Sequence, residues 1–289
     1  MITLRSGDVI AHVAPDAGGR LTSLVVGGVE RIMAKSNAPS PARPTSYGCY
    51  PMVPWAGRLE HGRIPTVAGE VRLDANHGPS AIHGLGFDKA WRVLERSEAA
   101  VVMDCELRGL GWPFGGTARQ TMRLSPSALD LELEVSAYAR TGPAGLGWHP
   151  WFARPRSGDV EVLLDAHEVL VLDADKVPTG AVREVDASED LRAGPQLGER
   201  RLDDVYVHSK APAIVRWPDL VLEIEFDESL NTVVVHTPPQ GFCVEPQTMW
   251  PNAPLLAARG VEGTGMRTLA PGERLHASHR WRWRPRDVR

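Results

Sequence analysis

The chain has 289 residues, 43% hydrophobic and 24% charged, a balance that supports a folded core and argues against disorder. A net charge of −4 gives no basic face for nucleic acid, and no apolar run reaches the ~18 residues that a membrane-spanning helix needs. The three cysteines, Cys49, Cys105 and Cys243, show no CxxC or Cys/His spacing for zinc and read as small hydrophobes in a reducing compartment. The opening MITLRSGDVIAHV lacks the long apolar core of a signal peptide, so the expectation is a cytoplasmic protein.

In chain order, the first segment dense in polar chemistry is Pro51–Leu59, PMVPWAGRL. Arg58 offers a rigid fork of donors suited to hydroxyl or carboxylate oxygens, although an isolated arginine is more often a surface residue. Asn76–Gly86, NHGPSAIHGLG, follows as a glycine-rich loop. Its histidines stand six apart, which does not fit the i, i+4 zinc pair of a helix. His83 therefore reads as part of a fixed polar loop, and His77 as the lesser candidate. Ala99–Leu107 and Thr117–Leu124 have the look of strands.

The clearest periodic signal runs from Leu129 to Val135, where Leu129, Leu131, Leu133 and Val135 alternate with Asp130, Glu132 and Glu134. A period of two puts the aliphatics on one face of a strand and the carboxylates on the other. Next comes Gly147–Phe152, GWHPWF, with one imidazole between two indoles. Pro150 disfavours α geometry at His149, so its ring is expected to project from a strand end among aromatic faces. The plainer alternative is a core histidine wedged between tryptophans.

Val160–Leu164 and Val169–Leu172 read as further strands, and Ser188–Leu191 is the most helix-like piece, about one turn long. In Arg201–Tyr206, RLDDVY, two aspartates are adjacent, so at most one of them faces a site. Leu220–Phe226 repeats the alternation, and Thr232–His236 adds a strand. Gly241–Val244 is an apolar strand that ends before Glu245, inside a loop Phe242–Ala253. Pro246 holds Glu245 extended, and a carboxylate there is costly to bury unless paired; a surface turn is the plain alternative. The stretch His279–Arg284, HRWRWR, reads as a last strand with tryptophans in the core and arginines in water rather than as a nucleic-acid stacking platform.

The 28 glycines and 24 prolines punctuate these runs, and no three-turn amphipathic helix stands out. The fold class expected is all-β, mainly antiparallel, as one sandwich-type domain over residues 1–289. One histidine, one carboxylate, an arginine and a second histidine accompany abundant tryptophan. GxSxG and GxGxxG motifs are absent, as is any metal cluster. The set suits acid–base chemistry on a neutral, polyhydroxylated molecule, with no cofactor and no metal.

Seven segments occur in an order that resembles the aldose 1-epimerase (galactose mutarotase) family: GGRLTSL, PWAGRL, AIHGLG with Trp91, GWPF, GWHPWF, LDDVY and VEPQT…PNA, from about residue 15 to 270. The resemblance implies the large twisted antiparallel β-sandwich of that superfamily. It implies His149 as general acid and Glu245 as general base. It also implies that Arg58, His83 and Asp203 hold the sugar, with Asp204 as an alternative to Asp203 by a shift of one residue.

Two departures bear on which sugar is bound: Gly57 where the family commonly has Asn, and Trp151 where tyrosine is frequent. A related branch acting on hexose 6-phosphates uses additional arginines in the first motif, and PMVPWAGRL has one, so an unphosphorylated aldose is expected. In the mechanism that follows, Glu245 takes the anomeric proton while His149, charged and with a pKa near 7, protonates the ring oxygen. The competing readings are a glycosidase, which commonly pairs two carboxylates, and a sugar-binding sandwich without catalysis.

Overall fold

Alternation decides the architecture. In the strand Ala128–Tyr138, Leu129, Leu131, Leu133 and Val135 are fully buried. Asp130, Glu132 and Glu134, on the other face, meet Arg280, Arg123 and Arg274. The strand Leu220–Phe226 buries Leu220, Leu222 and Ile224 in the same way. Between these two lies Leu275–Pro285, with His279, Trp281 and Trp283 inside and Arg280, Arg282 and Arg284 exposed. HRWRWR is thus a core strand with a charged outer face.

The computed structural model describes residues 1–287; residues 288–289, included in the sequence-based domain range, lie outside the described residues. Its two large sheets, eight- and eleven-stranded, are antiparallel throughout their ladders. They meet at an aromatic layer, where Trp148 stacks on His279 at 4.3 Å and Phe152 meets Trp281 at 5.1 Å. This is the twisted β-sandwich expected. Cys49, Cys105 and Cys243 are buried and free. No helix among the described residues is long and apolar enough to cross a membrane.

Two local expectations fail. Ser188–Leu191 is not helical, because the Asp186 carboxylate accepts from the Ser188 amide and hydroxyl and holds a turn. The α-helix among the described residues is Ala253–Ala258, where Pro254 supplies a preset φ in the first turn. The apolar strand that begins at Gly241 runs on to Gln247, carrying Glu245 inside it. Neighbours on both sides, Thr232–His236 and Gly147–Ala153, extend the pairing past the position where the sequence suggested a loop.

Candidate active site

Register, rather than sequence order, assembles the polar groups. Across the strands Cys49–Met52, Gly147–Ala153, Gly241–Gln247, Thr232–His236 and Asp203–Val207, Tyr50 stands opposite His149, Glu245 opposite Val234, and Val234 opposite Val205. The pairs Gly147↔Gln247 and Trp151↔Cys243 bracket His149 and Glu245, which therefore face each other. Two residues along the strands, Trp151, Cys243, His236 and Asp203 form a second row on the same side. Registered pairing between Gly147–Ala153 and Gly241–Gln247 lapses at the prolines Pro150 and Pro246, which carry no N–H.

His149 accordingly lies mid-strand, not at a strand end, and only one flanking indole shares its face. Trp151 stacks on it at 5.5 Å and 22°, whereas Trp148 points into the core. The closer stacking partner is Tyr50, at 4.7 Å and 26°, and His83 meets the ring edge-on at 5.0 Å. His149 Nε2 is 3.2 Å from Glu245 Oε1.

All members of the two rows except Tyr50 and Cys243 line a cavity of about 220 Å³, and His149, Glu245, Arg58, His83 and Asp203 all border it. Arg58 and His83 arrive on a short ladder of Arg58–Leu59 with Ala81–Ile82. The His83 amide donates to the Gly57 carbonyl at 3.0 Å, and His83 itself has φ of +59°, a conformation few non-glycine residues adopt. Gly57 has φ of +67°, and a Cβ there would lie 2.6 Å from Pro251, so the loop closes on Pro251 only without a side chain. That is a physical reason for the departure at Gly57. Asp203 borders the cavity, whereas Asp204, next along the strand, borders a different surface depression.

Burial, and to a lesser degree His83 and His236, pushes His149 well below the usual histidine range. Burial, reinforced by Asp203, lifts Glu245 well above the usual carboxyl range. Both shifts favour the neutral form of each group. Burial thus works against the charged His149 with a pKa near 7 that the sequence suggested. Burial, with Arg58 and His77, takes His83 down to about 3. For Asp203 burial acts upward, but the His236 ring 3.3 Å away, with Lys176 and Arg58, outweighs it and holds the carboxyl below its usual value.

Sequence reasoning did not single out Tyr50, His236, Gln247 or Lys176; the last three border the cavity. His236 Nδ1 is 3.3 Å from Asp203 Oδ1, and Gln247 is fully buried with its amide donating to the Met249 carbonyl. The period of two in TVVVH would put His236 on one face with Val234, but only the pairing shows what faces them. The fold also gathers His149, Cys243 and Glu245, whose ligand atoms lie within 4.8 Å of one another. Linear spacing gave no sign of that group. Chemically, the site offers an imidazole nitrogen and a carboxyl oxygen 3.2 Å apart, both buried, with a guanidinium and a second carboxyl on the walls.

A family model described as aldose 1-epimerase matches residues 1–281. The chain is 31% identical to the galactose mutarotase of Sus scrofa over 157 residues, 50% of this chain and 45% of that protein. It is 30% identical to the uncharacterized protein YphB of Escherichia coli (strain K12) over 111 residues, 37% of this chain and 38% of that one. The matched stretches span less than half the length of either curated relative. In fold the chain is similar to a galactose mutarotase-like protein from Clostridium acetobutylicum, with a TM-score of 0.87 at 18% identity over 98% of this chain and 95% of that one.

Proposed function

Since the chain belongs to the aldose 1-epimerase family, we propose that it interconverts the α and β anomers of an unphosphorylated aldose by ring opening and closure. The observation that carries this reading is the 3.2 Å contact of His149 Nε2 with Glu245 Oε1 at the edge of a cavity that Arg58, His83 and Asp203 also border.

One proton on the pair is enough. Its transfer from Glu245 to His149 creates the base and the acid together, at a charge-separation cost that hydrogen bonds from the sugar offset. Glu245 then takes the proton of the anomeric hydroxyl while His149 protonates the ring oxygen. The C1–O5 bond breaks, C1–O1 becomes a carbonyl, and C1 turns about C1–C2. Closure on the opposite face returns each proton by the reverse route. Arg58, His83 and Asp203 hold the remaining hydroxyls, and the Trp151 face stacks against the sugar C–H surface.

The test is the rate of anomer exchange, by polarimetry or proton NMR, over galactose, glucose, arabinose, xylose and fucose, with glucose 6-phosphate as a control. Acceleration above the buffer rate for a neutral sugar, lost in His149→Asn, is the expected result. Binding without acceleration across the panel would reject catalysis in favour of a sugar-binding sandwich.

A further inference from the structure

We propose that the edge of this cavity is also a soft-metal site, in which His149, Cys243 and Glu245 bind Zn²⁺ or a cation of the same ligand preference, and that the bound ion shuts out the sugar. The binding half of this proposal stands on the donor geometry alone; the inhibition half rests on the epimerase reading of the same pocket.

The donors are an imidazole nitrogen, a thiol sulfur and a carboxylate oxygen, all within 4.8 Å of one another and all on buried residues. That combination suits zinc; magnesium and calcium prefer oxygen ligands. Zinc bonds to nitrogen and oxygen of about 2.0–2.2 Å at a tetrahedral angle separate those two ligands by roughly 3.4 Å. The observed separation of His149 Nε2 from Glu245 Oε1 is 3.2 Å, so one edge of the tetrahedron is already in place. Tyr50 and Trp151, stacked on the imidazole, hold that edge.

Cys243 supplies the third donor, from within 4.8 Å of the other two: it is two residues before Glu245 on the same strand, and its cross-strand neighbours Trp151 and His236 border the cavity. Charge balance points the same way. Bound as a thiolate and a carboxylate beside a neutral imidazole, Cys243, Glu245 and His149 together neutralise a dication. A neutral complex avoids the cost of a net charge in a buried setting. Three protein ligands leave the fourth position to a water on the cavity side, where the sugar would otherwise enter.

The experiment titrates the full chain with Co²⁺ and follows the thiolate-to-cobalt charge-transfer absorption, then displaces the cobalt with Zn²⁺. One equivalent per chain is expected in the wild type, and the band is absent from Cys243→Ala and Cys243→Ser, each checked for native folding by circular dichroism. Loss of a ligand should weaken Zn²⁺ binding by at least about tenfold, since even outer partners contribute 10–100-fold. In turnover assays Zn²⁺ should raise the apparent KM and leave kcat at saturating sugar unchanged, reversibly with chelator, and the Cys243 variants should resist it. No cobalt band in the wild type, or one that persists in both Cys243 variants, overturns the site. A cobalt band with no turnover of any sugar supports the metal site and rejects the epimerase reading. Equal zinc inhibition of wild type and both variants overturns the assignment of inhibition to this site.

Discussion

His149 and His279 are both buried, both stacked on aromatic rings, and both driven by burial below the usual histidine range. They are separated by Trp148, which precedes one in sequence and stacks on the other. His149 has a carboxylate 3.2 Å away on a cavity wall; neither ring nitrogen of His279 has a hydrogen-bond partner among the described residues. A perturbed histidine is therefore not evidence of chemistry by itself. A partner for its proton makes the difference.

The largest expected effect breaks one side of this comparison. His149→Asn or Glu245→Gln should each lower kcat/KM by about 10²–10⁴-fold, the usual worth of one positioned proton transfer. Each variant should keep the far-ultraviolet circular dichroism of the wild type. Retained turnover in either would reject the role assigned to that residue.

The other side is broken at His279, and there the readout is stability. Its pKa is taken from 6.5 down to about 3 by burial, so the folded state resists protonation. Above pH 6.5 the group is neutral in both states and has no effect. As pH falls from 6.5 towards 3 the unfolded chain gains a proton that the folded chain cannot, and stability declines by about 1.4 kcal/mol per pH unit. His279→Leu should remove that acid-dependent loss and leave turnover at neutral pH unchanged. Urea melts of both proteins across this range measure it; parallel acid profiles would contradict the assignment.

Smaller effects sharpen the picture of the site walls. Asp203→Asn should raise KM by roughly 10–100-fold with little change in kcat, as expected for a charged hydrogen bond worth about 1.5–3 kcal/mol. A fall in kcat at constant KM would instead put Asp203 in the proton transfers. Gly57→Asn restores the residue common in the family, and asparagine tolerates positive φ, but its Cβ meets Pro251. It should cost roughly 1 kcal/mol in a denaturant melt, and a gain in stability would show that the loop has room to shift.

Much of the fold was legible because alternation is local. Leu129–Val135 and HRWRWR announce which residues go inwards without reference to any neighbour. The five residues singled out for the site came from loops and strand ends suggested by proline, and they do border one cavity. What remained hidden depends on pairing between distant strands. Tyr50 beside His149, Cys243 across from Trp151 and His236 against Asp203 are set by register, and no single window of sequence contains register. The two tryptophans flanking His149 looked equivalent in sequence; the period of two sends one to the site and the other to the core.

The two cross-strand rows have a further consequence, for the order of events in folding. Their members come from strands at 49–52, 147–153, 203–207, 232–236 and 241–247. Each row therefore closes long loops, whose entropy must be lost before the contacts that reward it exist. Neither half of the chain alone carries His149 and Glu245 with all of the walls around them. During refolding, recovery of turnover should trail hydrophobic collapse and coincide with final closure of the eleven-stranded sheet, making activity a clock for the last step of assembly.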